Sequence, residues 1–377
     1  MDFDIKEQTI LLIVAGSRAY GIHKPDSDVD VKGVLTVPSR YIFGFRDRFA
    51  QVDSPEHMRV WLNHLTPDQQ RAVAGDKIEG SIYELRKFLS LAADCNPNIL
   101  DVLFSRDEEV IHQTKSGQLL RENRDLFISS KAKFTFSGYA HSQLKRIKGH
   151  RAWLLDPPTH QPTREEFGLA EGNTEERKKF DVVAAAIRKK MDEWSWDFGD
   201  LPKSEVQRIE EDIALHLTEI GVVDTDLWNH AAASLGIPGD VVRHLAGEKK
   251  YLDAKRQWKQ YENWKRQRNP ARAELEKKHG YDTKHGAHLV RLLRMGKEIL
   301  TTGKVNVWRG GIDAEELLAI RGGSWPYEKL VEWAEQQDQE LTTMYKAQDY
   351  VVPHNPDWSA LDVLCEELLE AAQYERV

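Results

Sequence analysis

Two aspartates one residue apart, Asp28 and Asp30, follow the pair Gly16-Ser17 across the ten residues Arg18 to Ser27. These residue types at this spacing suit phosphoryl chemistry. In a strand, alternation puts Asp28 and Asp30 on one face and Val29 on the other. Two carboxylates this close repel unless a cation lies between them, and magnesium, a hard ion that prefers oxygen ligands, fits that need, with manganese as a substitute. A pair of such ions stabilises both the attacking and the leaving oxygen of an in-line displacement at phosphorus. Gly16 lets backbone N–H groups approach a phosphate, and the Ser17 hydroxyl adds a donor. The plainer reading is that Pro25-Asp26-Ser27-Asp28 only solvates a hairpin corner, as such sequences often do.

The flanking residues predict the strands that this chemistry needs. Thr9 to Ala15 (TILLIVA) is a continuous apolar run, the pattern of a buried strand. Gly16-Ser17, Gly21 and Pro25-Asp26-Ser27 supply turn chemistry after it. Val29, Val31, Val34 and Val37 mark a second strand over Asp28 to Val37, stopped by Pro38. Arg46 to Gln70 is polar and predicts no clear element. A third short strand is expected over Lys77 to Glu79. Ser81 and Glu84 have capping-box spacing ahead of a helix carrying Tyr83, Leu85, Phe88, Leu89, Leu91 and Ala92. Asn96-Pro97 ends that helix and opens the next, with Ile99, Leu100, Leu103 and Phe104.

The order strand, Gly-Ser, turn, Asp-x-Asp resembles the signature of the DNA polymerase β nucleotidyltransferase superfamily. Further segments, Tyr83 to Leu89, Asn96-Pro97-Asn98 to Phe104, Phe136-Ser137-Gly138-Tyr139 and Tyr281 to Leu292, look like a bacterial and phage group of nucleotidyltransferases that includes YcgL-like and RNA-repair-associated, RlaP-like proteins. The resemblance spans most of the chain outside Thr174 to Arg268. It implies a third carboxylate on a neighbouring strand, best matched by Glu79, with Asp76 as the fallback; glutamate here departs from the usual aspartate. It further implies that Asp28, Asp30 and Glu79 hold two Mg2+ ions, that Glu79 helps deprotonate the attacking hydroxyl, and that Gly16, Ser17 and Arg18 hold the terminal phosphates of an NTP. For Arg18 a surface salt bridge is an equal alternative.

Three other stretches could contact nucleotide or nucleic acid. Lys131 to Arg164 holds seven Lys or Arg residues against the single acid Asp156. Lys145, Lys148 and Arg151 share a helix face within it, a surface that could track phosphates, or equally a solvated face. Trp258, Tyr261 and Trp264 lie among cations, as in single-strand binding, but their spacing also fits a core-facing stripe. Lys284, His288 and Arg291 share a face of a predicted helix and could clamp the triphosphate or an acceptor phosphate. A zinc site at His285 and His288 is short of ligands, with no cysteine near. A buried, hydrogen-bonded histidine remains the simplest reading of either alone.

Beyond about residue 113 the strand pattern fades into helical periodicity over Ala132 to Leu155, Thr174 to Phe198, Glu205 to Ile220 and Val241 to His279. A helix over Lys284 to Thr301 follows, ended by Gly303, with two more after Trp325-Pro326 and after Asp357. The expected fold class is α+β: a small mixed sheet and a helical body, divided as a catalytic domain over 1–112, a helical domain over 113–280 and a C-terminal helical domain over 281–377. The 377 residues are 40% hydrophobic and 30% charged, with a net charge of −8 that excludes a surface made wholly for nucleic acid. No apolar run reaches the roughly 20 residues of a membrane span, and the start of the chain reads as neither signal nor transit peptide. Two cysteines, Cys95 and Cys365, exclude a disulfide framework and fit a reducing cytoplasm. The expected activity is NMP transfer from an NTP to a nucleic-acid 3′-hydroxyl, with an RNA end, tRNA-like or under repair, as acceptor. Transfer to a protein hydroxyl side chain is the alternative. Neither the base nor the oligomeric state can be read from the residues.

Overall fold

The computed structural model describes residues 3–24, 27–45, 48–73, 78–169, 182, 185–186, 235–268 and 270–375. Two compact units emerge: residues 1–155 together with 270–377, and residues 156–269. In the first, five strands form one sheet: β1 (Thr9–Ala15), β2 (Asp30–Leu35), β3 (Gln51–Val52), β4 (Glu79–Glu84) and β5 (Val110–Gln113), in the order β3-β4-β2-β1-β5. The pair β2 and β4 is parallel, and every other pair is antiparallel.

Every residue of β1 is buried, because both faces of the sheet are covered. Leu11, Ile13 and Ala15 pack with the helices, while Leu12 and Val14 join Val31, Leu35 and Ile82 in a second apolar layer on the opposite face. Burial on both faces is what turns a strand into an unbroken apolar run. The second layer is closed by Met58, Trp61 and Leu65. They come from the polar stretch that predicted no element, and it folds as short turns of helix over Pro55–Met58, Arg59–His64 and Pro67–Ala72.

The helices that bear on the sheet are α1 (Leu85–Ala93), α2 (Pro97–Leu103), α3 (Lys115–Glu122) and α4 (Ala132–Leu155). Two expectations are corrected here. Ser81 and Tyr83 do not open a helix: they extend β4, opposite Lys32 and Val34 of β2. The cap is instead Glu84, whose carboxylate accepts from the Lys87 amide at 3.1 Å. In addition, β5 lies in a stretch whose four residues gave no strand pattern, and it is recruited by pairing to β1.

α4 matches its expected bounds. The expected run over 241–279 is two helices, α5 (Gly239–Gln267) and α6 (Pro270–His279), with proline opening the second. Next come α7 (Thr283–Thr302), α8 (Ala314–Arg321), α9 (Tyr327–Lys346) and α10 (Trp358–Tyr374). α7 ends at Gly303, in the left-handed conformation favourable to glycine (φ +68°). α7 approaches α4 so closely that a Cβ on Gly296 would sit 2.9 Å from Phe136 Cβ. The chain then returns to the N-terminal strands: Glu375 accepts from the Ser116 amide and hydroxyl of α3, each at 2.9 Å. The helices expected over Thr174 to Phe198 and Glu205 to Ile220 lie outside the described residues. Among those described, no helix is long and apolar enough to cross a membrane, and both cysteines are free.

Trp61 is fully buried and edges the His64 ring at 5.1 Å. Trp61→Ala is therefore expected to lower the unfolding free energy by about 3–5 kcal/mol in a urea titration. An unchanged midpoint would remove this residue as the anchor of the second layer.

Candidate active site

The edges of three strands meet where β1 ends. Register places Ala15 opposite Asp30, and Asp30 directly beside Glu79 on the parallel strand β4. Asp30, Lys32 and Val34 share the helix-covered face of β2 by alternation. Glu79, Ser81 and Tyr83 share the same face of β4. Asp28 and Glu79 are exposed, whereas Asp30 is partly covered.

Gly16 is why the chain can turn here. Its φ is +66°, and a Cβ would overlap Asp30 Oδ2 and lie 3.4 Å from its carboxyl carbon. The bare glycine thus forms one wall of the Asp30 carboxylate. Gly16–Ala19 makes one helical turn, closed by the Tyr20 amide on the Gly16 carbonyl and the Ile22 amide on Ser17. Arg18 reaches across the loop and donates to the backbone carbonyls of Ser27 (3.0 Å) and Asp28 (3.4 Å). Its guanidinium ties the loop to the entry of β2.

Charge is finely balanced around Asp30. Burial raises its pKa above the ordinary aspartate value; Lys32 and Lys284 pull it down, and Glu79 and Asp28 push it up. Burial is thus the main cost of ionising Asp30, and a nearby cation would lower it. Lys32 lies in the floor, its ammonium donating to Asn98 Oδ1 at 2.8 Å. Burial lowers its pKa, opposed by Asp101 and Asp30. Lys284, exposed at the start of α7, has a pKa lowered by burial and by Arg272 and Arg321, against the attraction of Asp28 and Asp30. Lys284 is therefore coupled to both aspartates.

The other two residues of that helix face, His288 and Arg291, behave differently. Arg291 is 1% exposed. Its guanidinium stacks 3.7 Å over the Tyr20 ring, faces Asp101 at 3.8 Å and donates to His288 Nδ1 at 3.1 Å. Tyr20 in turn donates to Asp101 at 2.5 Å. His288 has its pKa pushed well down, chiefly by burial and then by Arg291. Arg291 and His288 are thus internal groups beneath the loop. Tyr20, Lys32, Asn98 and Asp101 were not singled out from sequence, although an acid inside the apolar run Ile99 to Leu103 was the available signal.

The structure does not bring the basic face of α4 to these carboxylates through any hydrogen bond or ion pair among the described residues. Lys148 pairs with Glu335 at 3.3 Å. Arg151 donates to the Gly280 carbonyl at 2.9 Å, faces Glu328 at 3.4 Å and lies over Tyr327. Both therefore brace α9, although Lys148, like Lys145, is exposed. In the other unit, Tyr261 is buried between Trp258 and Trp264 (centroids 5.8 and 5.9 Å), the geometry of a packing stripe. Asp76 lies outside the described residues.

The comparisons with known proteins fall on this same region. Residues 4–154 match the RlaP family, the RNA repair pathway DNA polymerase beta family. The match includes Gly16, Asp28, Asp30 and Glu79, and it points to nucleotidyltransferase activity. An uncharacterized 38.9 kDa protein of Enterobacteria phage T4 is 30% identical over 152 residues, which are 39% of this chain and 42% of that protein. The match therefore spans less than half of the phage relative. No solved structure matches.

Gly16→Ala is expected to displace the Asp30 carboxylate and weaken Mn2+ binding by about tenfold or more, which corresponds to about 1.4 kcal/mol. Titration of the two proteins with Mn2+, followed by electron paramagnetic resonance, reads this out; equal affinities would mean that Gly16 does not shape the site.

Proposed function

We propose that this chain is a divalent-metal-dependent nucleotidyltransferase that moves NMP from an NTP to the 3′-hydroxyl of an RNA. The observation that carries the reading is the matched register of Asp30 and Glu79, with Gly16 against the Asp30 carboxylate and Asp28, just ahead of β2, near enough to raise the Asp30 pKa. Neighbouring carboxylates, one of them partly buried, fit hard dications with oxygen ligands. A pair of Mg2+ ions held by Asp28, Asp30 and Glu79 would supply the positive charge that a reacting phosphate needs.

The chain's own groups divide the remaining work. Ser17 and the amides of the Gly16–Ala19 turn bind the terminal phosphates. Lys284 sits over Asp28 and Asp30 and neutralises phosphate charge; Arg18 keeps the loop in place through its two carbonyl contacts. Glu79, exposed, takes the proton of the attacking hydroxyl. The new bond forms between that oxygen and the α-phosphorus, the α–β bridging bond breaks, and pyrophosphate leaves. Arg291 and His288 act at one remove, by fixing Tyr20 and Asp101 under the loop. Lys32 keeps Asp30 ionised.

RNA as the acceptor is supported by the RNA repair description of the matching family. A second reading, transfer to a hydroxyl side chain of a protein, gains from the ion pairs that engage Lys148 and Arg151, since these shrink the basic surface open to a strand. One experiment separates the two. The pure protein is incubated with each labelled NTP and Mg2+, once with total cellular RNA and once with a cell-lysate protein sample. Label is expected on a discrete RNA, and the Asp28→Ala, Asp30→Ala double variant is expected to lose at least about 1,000-fold in rate while remaining folded. Label on protein alone would favour the second reading, and full activity in the double variant would remove the carboxylates from the mechanism.

A further inference from the structure

A second group of ligand-type side chains gathers where the ends of α4 and α6 meet the start of α7. His150 of α4, Glu276 of α6 and Asp282, the N-cap of α7, each offer one ligand atom, and these atoms lie within 4.8 Å of one another. Glu276 and Asp282 are both 1% exposed, and their carboxyl groups hydrogen bond to each other. Two buried carboxylates in that contact must share a proton or a cation. Arg272 brings one positive charge to Asp282.

The imidazole of His285 adds an independent sign. Its Nδ1 lies 2.8 Å from Gln143 Oε1, so that nitrogen donates. The other nitrogen, Nε2, faces Asp282 Oδ2 at 3.5 Å, which brings a second imidazole to the edge of the carboxylate pair. A ligating histidine held by a hydrogen bond from its second nitrogen is the usual arrangement around metals. Asp282 Oδ1 accepts from the amides of Lys284 and His285 at 3.0 and 3.1 Å, while Oδ2 is the oxygen that faces His285.

We propose that His150, Glu276 and Asp282, with His285 as the fourth ligand, form a structural site for a transition-metal dication, zinc above all, separate from the Asp28–Asp30 cluster. Imidazole nitrogen with carboxylate oxygen suits zinc, whereas magnesium and calcium prefer oxygen alone. Zinc takes such nitrogen and oxygen ligands at about 2.0–2.2 Å. Binding expels the proton shared by the two carboxyl groups. The metal joins three helices and fixes the end of α7 that carries Lys284.

The test uses the full chain carrying Asp28→Ala and Asp30→Ala, so that the other carboxylate cluster contributes nothing. The protein is stripped with a chelator, given zinc alone, dialysed and analysed for metal. The expected result is about one zinc per chain, a higher melting temperature and, with cobalt in place of zinc, visible absorption of a protein-bound ion. His150→Ala and, separately, the near-isosteric Glu276→Gln should each weaken zinc binding at least about tenfold while circular dichroism stays unchanged. The proposal is overturned if the stripped chain retains no zinc, or if both variants retain it as before; the carboxylates are then neutralised by Arg272 and a shared proton. Because the parent already lacks Asp28 and Asp30, the result does not depend on the nucleotidyltransferase reading.

Discussion

The mutual repulsion of Asp28, Asp30 and Glu79 is the constraint around which the N-terminal half of this protein is arranged. Nothing in a strand pair compels two acids to lie side by side, yet the parallel register of β2 and β4 sets Asp30 beside Glu79. Burial makes the ionised form of Asp30 costlier still. The structure answers with cations placed at graded depth: Lys32 in the floor, hydrogen bonded to Asn98, and Lys284 at the rim. Both lower the pKa of Asp30, against burial and the two neighbouring acids.

The loop from Gly16 to Asp30 is the other half of that arrangement. Its described residues are held by contacts with parts of the chain far away in sequence. Arg321 donates to the Ile22 carbonyl, the Arg309 amide to the Tyr20 carbonyl, and Arg291 stacks on the Tyr20 ring. Arg309 is itself fully buried and held by Glu298 and Asp313. The C-terminal helices therefore do more than cover the sheet: they buttress the segment that the chemistry needs. This division, with reacting groups on rigid strands and a loop fixed by a second layer, is what precise placement of a phosphate demands.

Much of this was legible in sequence where local physics decides. The apolar run of β1, the glycine that ends α7 and the bounds of α4 follow from periodicity and capping. The Gly-Ser and Asp-x-Asp spacing pointed to residues that the fold does bring together. What could not be read depends on partners distant in the chain. β5 is a strand only because β1 offers an edge, and Trp61 belongs to the core only because the lower face of the sheet needs closing. Likewise Lys148 and Arg151 form a basic face by their spacing alone; the acids that engage them, Glu335 and Glu328, sit on a helix more than 170 residues away in sequence. Arg291 shares its helix face with Lys284, yet it ends up enclosed, because Tyr20 and Asp101 supply a ring and a carboxylate that only the tertiary fold reveals.

The central claim is that the Asp30 carboxylate, whose pKa burial raises, belongs to a cluster that a dication completes. Its most direct test is to compare the thermal unfolding of the wild type and Asp30→Asn at neutral pH, with and without Mg2+. A raised native pKa means that the ionised carboxylate costs stability at pH values above it, so the neutral asparagine is expected to melt at or above the metal-free wild type. Added Mg2+ is expected to raise the melting temperature of the wild type and leave that of Asp30→Asn unchanged. A metal-free Asp30→Asn protein that melts lower, together with an equal response of both proteins to Mg2+, would contradict the account.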